Sequence, residues 1–478
     1  MSSAGPTLQA AGRVAPSGVN FSSLLPLGVK GVAKSRRFQP NNGQAFTSVN
    51  NIIRIPLSTT GFMDVQHSYL SFDIAVTGAP ATGVCLDGGA DCIIRTLRIE
   101  GSDGSELERV DGYNVIAAAL KDLQVGNDHE GTIMNAMDMS YQNPAAAAYN
   151  PDGSQNNVLT GFAPDIVNQL DLCWTSALGS EGSQKGVCIK LVSGLLNNEK
   201  YLPCGFVAGG GIVLELSLDT VNNVLFDIGA AATPNMVYTV TNVNYHGQIV
   251  EMADSFNDAF RSMLNEQSGI QWSGQTLRGH TFAFTSAVGD TTVVPIAERA
   301  KSIKAIYNIF RLSAQTTSVD NHGFTRRTWN GCRSLQYRIG SNVYPSNPVR
   351  GGELNPSEFV SELYKSVAAL GDVRQGGKIS RNSYVGFRPA NAPGNPLGEN
   401  AEYGCNGFFG LDFDVYAQST SVLESGIDSS SLSLPINVEF LWGTAAQGTQ
   451  VGAMTVNSFC LIDVLYSLDA SGLLTAAM

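Results

Sequence analysis

Ile212-Val213-Leu214-Glu215-Leu216-Ser217-Leu218 and, late in the chain, Ile436-Asn437-Val438-Glu439-Phe440-Leu441-Trp442 share one signature, a large apolar residue at every second position. Successive side chains of a strand point to opposite faces, so this alternation predicts a strand with one face buried and the other in water. The same period runs through Leu70, Phe72, Ile74 and Val76, and through Leu411-Asp412-Phe413-Asp414-Val415. It returns in the last long stretch, where Cys460, Ile462, Val464, Tyr466 and Leu468 share a side. Sheets with one apolar face hide it by stacking in pairs, which is the antiparallel β-sandwich.

The two quoted strands also belong to a longer repeat. Arg95-Thr96-Leu97 with Gly101-Ser102 has a counterpart in Arg333-Ser334-Leu335 with Gly340-Ser341, and a helical pattern follows each. Ser193-Gly194-Leu195 precedes Leu202-Pro203 just as Ser425-Gly426-Ile427 precedes Leu434-Pro435, both displaced by 232 residues (425 − 193 and 434 − 202). Each half closes on an aromatic, a Val and a Tyr: Tyr238, Val243, Tyr245 and Phe459, Val464, Tyr466. Ordered self-similarity at a long period predicts one supersecondary plan folded twice.

Helical patterns are few. Asp254 or Ser255 begins a segment in which Phe256, Ala259, Phe260, Met263 and Leu264 fall on one helix face. Residues 112–125 place Tyr113, Ile116, Ala117 and Leu120 likewise, and Asn355-Pro356-Ser357-Glu358 opens a third helix with Phe359, Leu363, Val367 and Leu370 as its stripe. The expected organisation is an extended N-terminal arm over 1–45, a first sandwich over 46–252, a linking helix over 253–268 and a second sandwich over 269–478. Residues 126–172 and 371–405, polar and rich in Asn, Gly, Pro and Ala, read as long surface loops after the helix of each half.

The composition fits. Apolar residues make up 43% of the 478 and charged residues only 15%, with 51 Gly and 19 Pro for turns between short strands. No uninterrupted apolar run is long enough to span a bilayer, and no secretory leader is evident at the N-terminus. The cysteines at 85, 92, 173, 188, 204, 332, 405 and 460 form no C-x-x-C pair and read as buried free thiols of a reducing compartment. The net charge of −12 is uneven. The first acidic residue is Asp64, and Arg13, Lys30, Lys34, Arg36, Arg37 and Arg54 precede it, so residues 1–63 carry +6 and the rest −18. An acidic body resists non-specific adhesion to nucleic acid, whereas a basic arm attracts it.

With these elements in place, the chain resembles the double jelly-roll major capsid proteins of DNA viruses, a family that includes adenovirus hexon and the virophage capsids. Arg37-Phe38-Gln39-Pro40-Asn41-Asn42-Gly43, Ile52-Ile53-Arg54-Ile55-Pro56-Leu57, Phe62-Met63-Asp64 and Ser68-Tyr69-Leu70 are similar to the opening of capsid proteins from polinton-like viruses. Residues 411–442 and the C-terminal strand resemble the end of the second jelly roll. The resemblance covers the chain from about residue 37 and lacks hexon's long tower insertions. It implies an all-β fold, two tandem eight-stranded jelly-roll sandwiches with a few short helices. It also implies a homotrimer presenting six similar sandwiches as a pseudo-hexagonal tile of an icosahedral shell. Partners would then be neighbouring capsomers, penton and minor capsid proteins. The location would be the virion, assembled inside the host cell and not secreted. Strands standing perpendicular to the shell make 126–172 and 371–405 candidates for the outer face. Arg13, Lys30, Lys34, Arg36 and Arg37 become a candidate interior-facing basic arm, making at most weak contact with genome or an internal membrane.

No catalytic or cofactor motif is present, so no enzyme activity, cofactor or metal is expected. Gly376-Gly377-Lys378-Ile379-Ser380 lacks the glycine spacing of a phosphate loop. Asp412 with Asp414, and Asp87-Gly88-Gly89-Ala90-Asp91, read as a solvated strand side and a turn before they read as cation sites. The five histidines (67, 129, 246, 280 and 322) show no ligand spacing. The rival from another class is a tandem β-sandwich carbohydrate-binding or adhesin protein. It calls for clustered exposed aromatics, whereas Trp174, Trp272, Trp329 and Trp442 are dispersed in sequence. A glycan-cleaving sandwich would need two carboxylates facing across a cleft, and no pair is nominated.

Overall fold

A computed structural model of the chain describes residues 29–80, 83–125, 133–140, 173–176, 179–227, 235–313, 331–351, 356–367, 407–415, 425–430, 435–444 and 452–478, with single positions at 324, 327, 379 and 384. The first half holds β1 (Gly31–Phe38), β2 (Ala45–Thr47), β3 (Ile52–Leu57), β4 (Phe62–Thr77), β5 (Val84–Leu86), β6 (Ile94–Glu100), β7 (Glu106–Asp111), β8 (Lys185–Ile189), β9 (Ile212–Leu218), β10 (Leu225–Asp227) and β11 (Val237–Met252). The second holds β12 (Ile270–Ser286), β13 (Thr291–Ile296), β14 (Ile303–Leu312), β15 (Cys332–Ile339), β16 (Asn342–Arg350), β17 (Phe409–Asp412), β18 (Ile436–Trp442), β19 (Gly452–Leu468) and β20 (Leu474–Ala477). Helices α1 (Tyr113–Gln124), α2 (Asp254–Glu266) and α3 (Ser357–Ser366) lie where their patterns predicted.

The sheet order demonstrates the duplication. In the first half one sheet runs β1-β11-β4-β8 and the other β3-β9-β6-β7. In the second half the corresponding sheets run β12-β19-β14-β17 and β13-β18-β15-β16. Matching strands in chain order gives the same two four-stranded orders twice, with α1 and α3 each following the fifth strand of the plan. Each half is therefore an eight-stranded jelly roll, all pairings antiparallel. The quoted strands β9 and β18 are equivalent, and both alternate as read: Ile212, Leu214, Leu216 and Leu218 are buried, as are Ile436, Val438, Phe440 and Trp442.

Two expectations are corrected. Residues 31–38, placed in a free arm, form β1, the edge strand that pairs with β11 from Gly31↔Met252 to Phe38↔Tyr245. The first roll therefore starts near residue 31 and not 46, since without β1 it would be a strand short. The strand escaped notice because an edge strand in water needs no alternation: seven of its eight residues are exposed. The Ser-Gly repeat is also not a structural equivalence. Ile427 bridges to Ile303 at the start of β14, and its counterpart, bridging to Met63 near the start of β4, is Leu202. The turn Ser193-Gly194-Leu195 instead joins the two rolls.

At that junction β7 of the first roll lies against β12 of the second. Glu108, fully buried on β7, accepts hydrogen bonds from Ser193 Oγ (2.5 Å), Gly194 N (2.6 Å), Leu195 N (3.1 Å) and Thr276 Oγ1 of β12 (2.7 Å). A buried carboxylate is tolerable only with such donors around it. Backbones approach so closely that a Cβ at Gly194 would overlap the Gln275 carbonyl, and one at Gly279 the Asp111 carbonyl. A second tie crosses from the β14–β15 connection: Arg327, fully buried, pairs with Asp122 of α1 and donates to Phe324 O (2.9 Å), while Phe324 N donates to Asp87 (2.8 Å).

Removing the carboxylate strands four donors in a dry seam. Glu108→Ala is expected to lower the unfolding free energy by about 3–5 kcal/mol, and Thr276→Val, which deletes one donor, by about 1 kcal/mol. Urea denaturation of both variants checks the ranking; equal small losses would mean that the seam does not depend on Glu108.

Candidate assembly surfaces

Of the basic residues before Asp64, Lys34, Arg36 and Arg37 lie on β1 and Arg54 lies on β3. Lys34 pairs with Glu251 (2.5 Å) in the open, and the Arg36 guanidinium lies 5.1 Å from the Phe38 ring centroid. Arg37 stands opposite His246, whose ring stacks on Tyr69 at 4.5 Å and hydrogen-bonds Ser71 Oγ (2.7 Å). Burial, and then the Arg37 charge, hold the His246 imidazole below its usual value. Lys30 lies just before the strand and is exposed. Arg13 lies outside the described residues, as do the phosphate-loop-like stretch 376–378, Trp329 and Cys405. Lys30, Lys34, Arg36 and Arg37 form an exposed rim on one sheet edge, not a converging pocket.

The acidic pairs weighed as cation sites have internal partners. Asp91 is joined to Lys121 (2.5 Å), which also holds Asp138 (2.6 Å). Burial disfavours the Lys121 ammonium, but Asp91 and Asp138 outweigh it and raise its pKa. Asp414 faces the buried ammonium of Lys304 (3.7 Å), whose other neighbour is Asp463 (3.4 Å). Asp412 is half-buried, and desolvation raises its carboxyl. Among the described residues no group of three or more His, Cys, Asp or Glu could hold a metal, and no helix is long and apolar enough to cross a membrane. Trp174 and Trp442 are buried and Trp272 half-buried, so the described tryptophans make no exposed platform for a sugar ring. Among the described residues no two cysteines form a disulfide, and six of the seven are buried.

Sequence reasoning missed an apolar groove beside α2. Phe62, Tyr201, Met252, Phe256, Phe260 and Trp272 line a cleft of about 670 Å³. Phe260 packs edge-on against Phe62 at 5.2 Å and against Phe206 at 4.6 Å, so the helix rests on an aromatic cluster of the first roll. The helically spaced apolar residues of α2 gave the face, but nothing local gave the wall opposite.

Strand registers define two ends of the molecule. β11 finishes at Met252, beside the start of β1 and β4, and β12 starts at Ile270 opposite Leu468, the end of β19. The linking helix joins these, so this end belongs to both rolls. β8 begins at Lys185 opposite Ile74, far along β4, and β17 begins at Phe409 opposite Asn308. Both connections that follow the roll helices thus return at the end away from α2.

No protein-family model matches the sequence, and neither does any curated protein. Solved structures do match in fold. A chain from the cryo-EM structure of the Sputnik virophage superposes with a TM-score of 0.58 at 12% identity, over 98% of this chain and 92% of that one. The mavirus major capsid protein gives 0.56 at 11% identity over 98% and 95%. The Faustovirus major capsid protein gives 0.54 at 11% over 96% and 94%. The likeness spans both rolls from end to end.

One contact on the second edge strand sets an acid limit. His280 of β12 meets Glu298 at 2.9 Å. Burial pushes that carboxyl up, but the hydrogen bond and charge of His280, then Arg278, outweigh it and leave Glu298 below its ordinary 4.5. A folded value below the unfolded one gives stability that is full above about pH 4.5 and lost as pH falls through the folded value. Melting temperature should fall on that acid side, and His280→Ala should flatten the fall; an unaltered profile in the variant would remove the contact from the account.

Proposed function

The chain has the double jelly-roll fold that the virophage and giant-virus capsid structures share, and we propose that it is itself a viral major capsid protein, acting by assembly and without turnover. The observation that carries this reading is the identical strand order in two rolls locked into one body. Two like sandwiches per chain make three chains present six like corners, so a closed threefold ring approximates a hexagon and tiles a curved lattice. A fold match over nearly the whole length of the mavirus and Faustovirus capsid proteins supports the same reading. The buried seam that locks the two rolls into one body suits a building block.

In this reading the partners are two further copies, neighbouring capsomers, and penton and minor capsid proteins at the vertices, and the site of action is the virion. The strands reached after the roll helices, β8 and β17, begin toward the end opposite α2, which favours that end as the outer face. The α2 end, where the chain reaches Lys30 and the first roll begins, then faces inward, toward genome or internal membrane. The basic rim is small, so its contribution to holding nucleic acid is modest.

Light scattering on the purified chain tests this. Three chains of 50.6 kDa give a particle of about 152 kDa, and a trimer that persists on dilution requires contacts burying more than about 1,000 Å² each. A monomer of 50.6 kDa at micromolar concentration, with no higher species by electron microscopy, would overturn the proposal.

A further inference from the structure

We propose that the groove beside α2 is the seat of this chain's own N-terminal segment, residues 21–27. This goes beyond the capsid reading and stands without it. The groove is apolar and open: Phe256, Phe260 and Met263 present their side chains to it only half-covered, and of the thirteen residues of α2 Leu264 alone is fully buried. Tyr201 on the opposite wall is 50% exposed. Phe62 and Phe206 cover part of the apolar stripe, and the part that faces the groove stays partly open to solvent.

The candidate occupant is delivered to the spot. Ala253 N, just ahead of α2, donates to Lys30 O (3.1 Å), and Gly31 stands opposite Met252, a groove residue. At about 3.3–3.6 Å per residue, Leu27 lies within about 11 Å of Lys30 and Phe21 within about 32 Å. The stretch between Arg13 and Lys30 carries no charge, and within it Phe21, Leu24, Leu25 and Leu27 concentrate the large side chains. An apolar segment tethered three residues from an apolar groove meets it at high effective concentration, so modest intrinsic affinity suffices. Seated there, the segment covers the α2 stripe and fastens the linker to both rolls, since Phe62 belongs to the first and Trp272 to the second.

Hydrogen–deuterium exchange on the full chain tests the assignment. Residues 21–27 are expected to exchange at least about tenfold more slowly than a free peptide of that sequence, and Met263→Asp in the groove should return them to the free rate. In the converse variant, Leu24→Asp with Leu25→Asp, protection should drop along 254–266 while the strands keep theirs, which controls for loss of fold. Free-rate exchange of 21–27 in the unaltered chain overturns the proposal. So does protection that Met263→Asp leaves in place, which would seat the segment elsewhere. Protection that vanishes on dilution overturns it too, because the groove would then hold a neighbour's segment.

Discussion

A carboxyl group with no access to water lies at the junction of the two halves of this molecule and gathers donors from both. The Glu108 carboxylate takes two backbone N–H groups and two hydroxyls, one of them from the opposite roll. Because leaving such a group unsatisfied costs several kcal/mol, the donors must stay in register, and this fixes where β12 lies along β7. The glycines at 194 and 279 are the steric counterpart: they let backbone carbonyls of one roll approach the other closer than any side chain would allow. Arg327 and Asp122 add a second buried tie some distance away, so the rolls are held at two points and cannot rock about one. The rest of the architecture inherits its geometry from this seam.

Much of the fold was legible because strands with one wet face must alternate. β4, β9, β18 and β19 announce themselves through Phe72, Leu214, Phe440 and Ile462, and the helices through their stripes. β1 was not legible, since an edge strand of Gly31, Lys34, Arg36 and Arg37 buries nothing that would impose a period. The Ser-Gly turns looked alike at 193 and 425 for different reasons: Gly426 is pressed against its own roll at Ile303, Gly194 against the other roll at Gln275. Glu108 itself gave no signal, as it sits in Glu106-Leu107-Glu108-Arg109, where neighbouring charges are solvated. Only the tertiary arrangement distinguishes a buried carboxylate from an exposed one three residues away. The groove escaped for the same reason, its walls being drawn from positions 62, 201, 252, 256 and 272.

Charge is handled differently inside and outside. The outer face of the β3-β9-β6-β7 sheet carries a cross-strand lattice: Arg54 reaches Glu100 (2.5 Å) and Glu215 (3.4 Å), and Arg98 reaches Glu106 (3.2 Å). Arg278 of the second roll extends it to Glu106 at 3.8 Å. The register of β6 on β7 sets Arg98 across from Arg109 and Glu100 across from Glu106, and the diagonal contacts to opposite charges offset that repulsion. In the interior, Lys304 and Lys121 are each flanked by two carboxylates, so neither ammonium is left alone in a low-dielectric setting.

The two long connections depart after equivalent helices and come back at equivalent strands, both at the pole remote from the linker. Sequence added or removed there lengthens a loop whose ends are already pinned, and loop length costs only logarithmically. A change of length between those fixed points leaves the seam and the sheets, which are held by close packing, in place. One molecule thus has a conservative base and a crown on which selection is able to experiment.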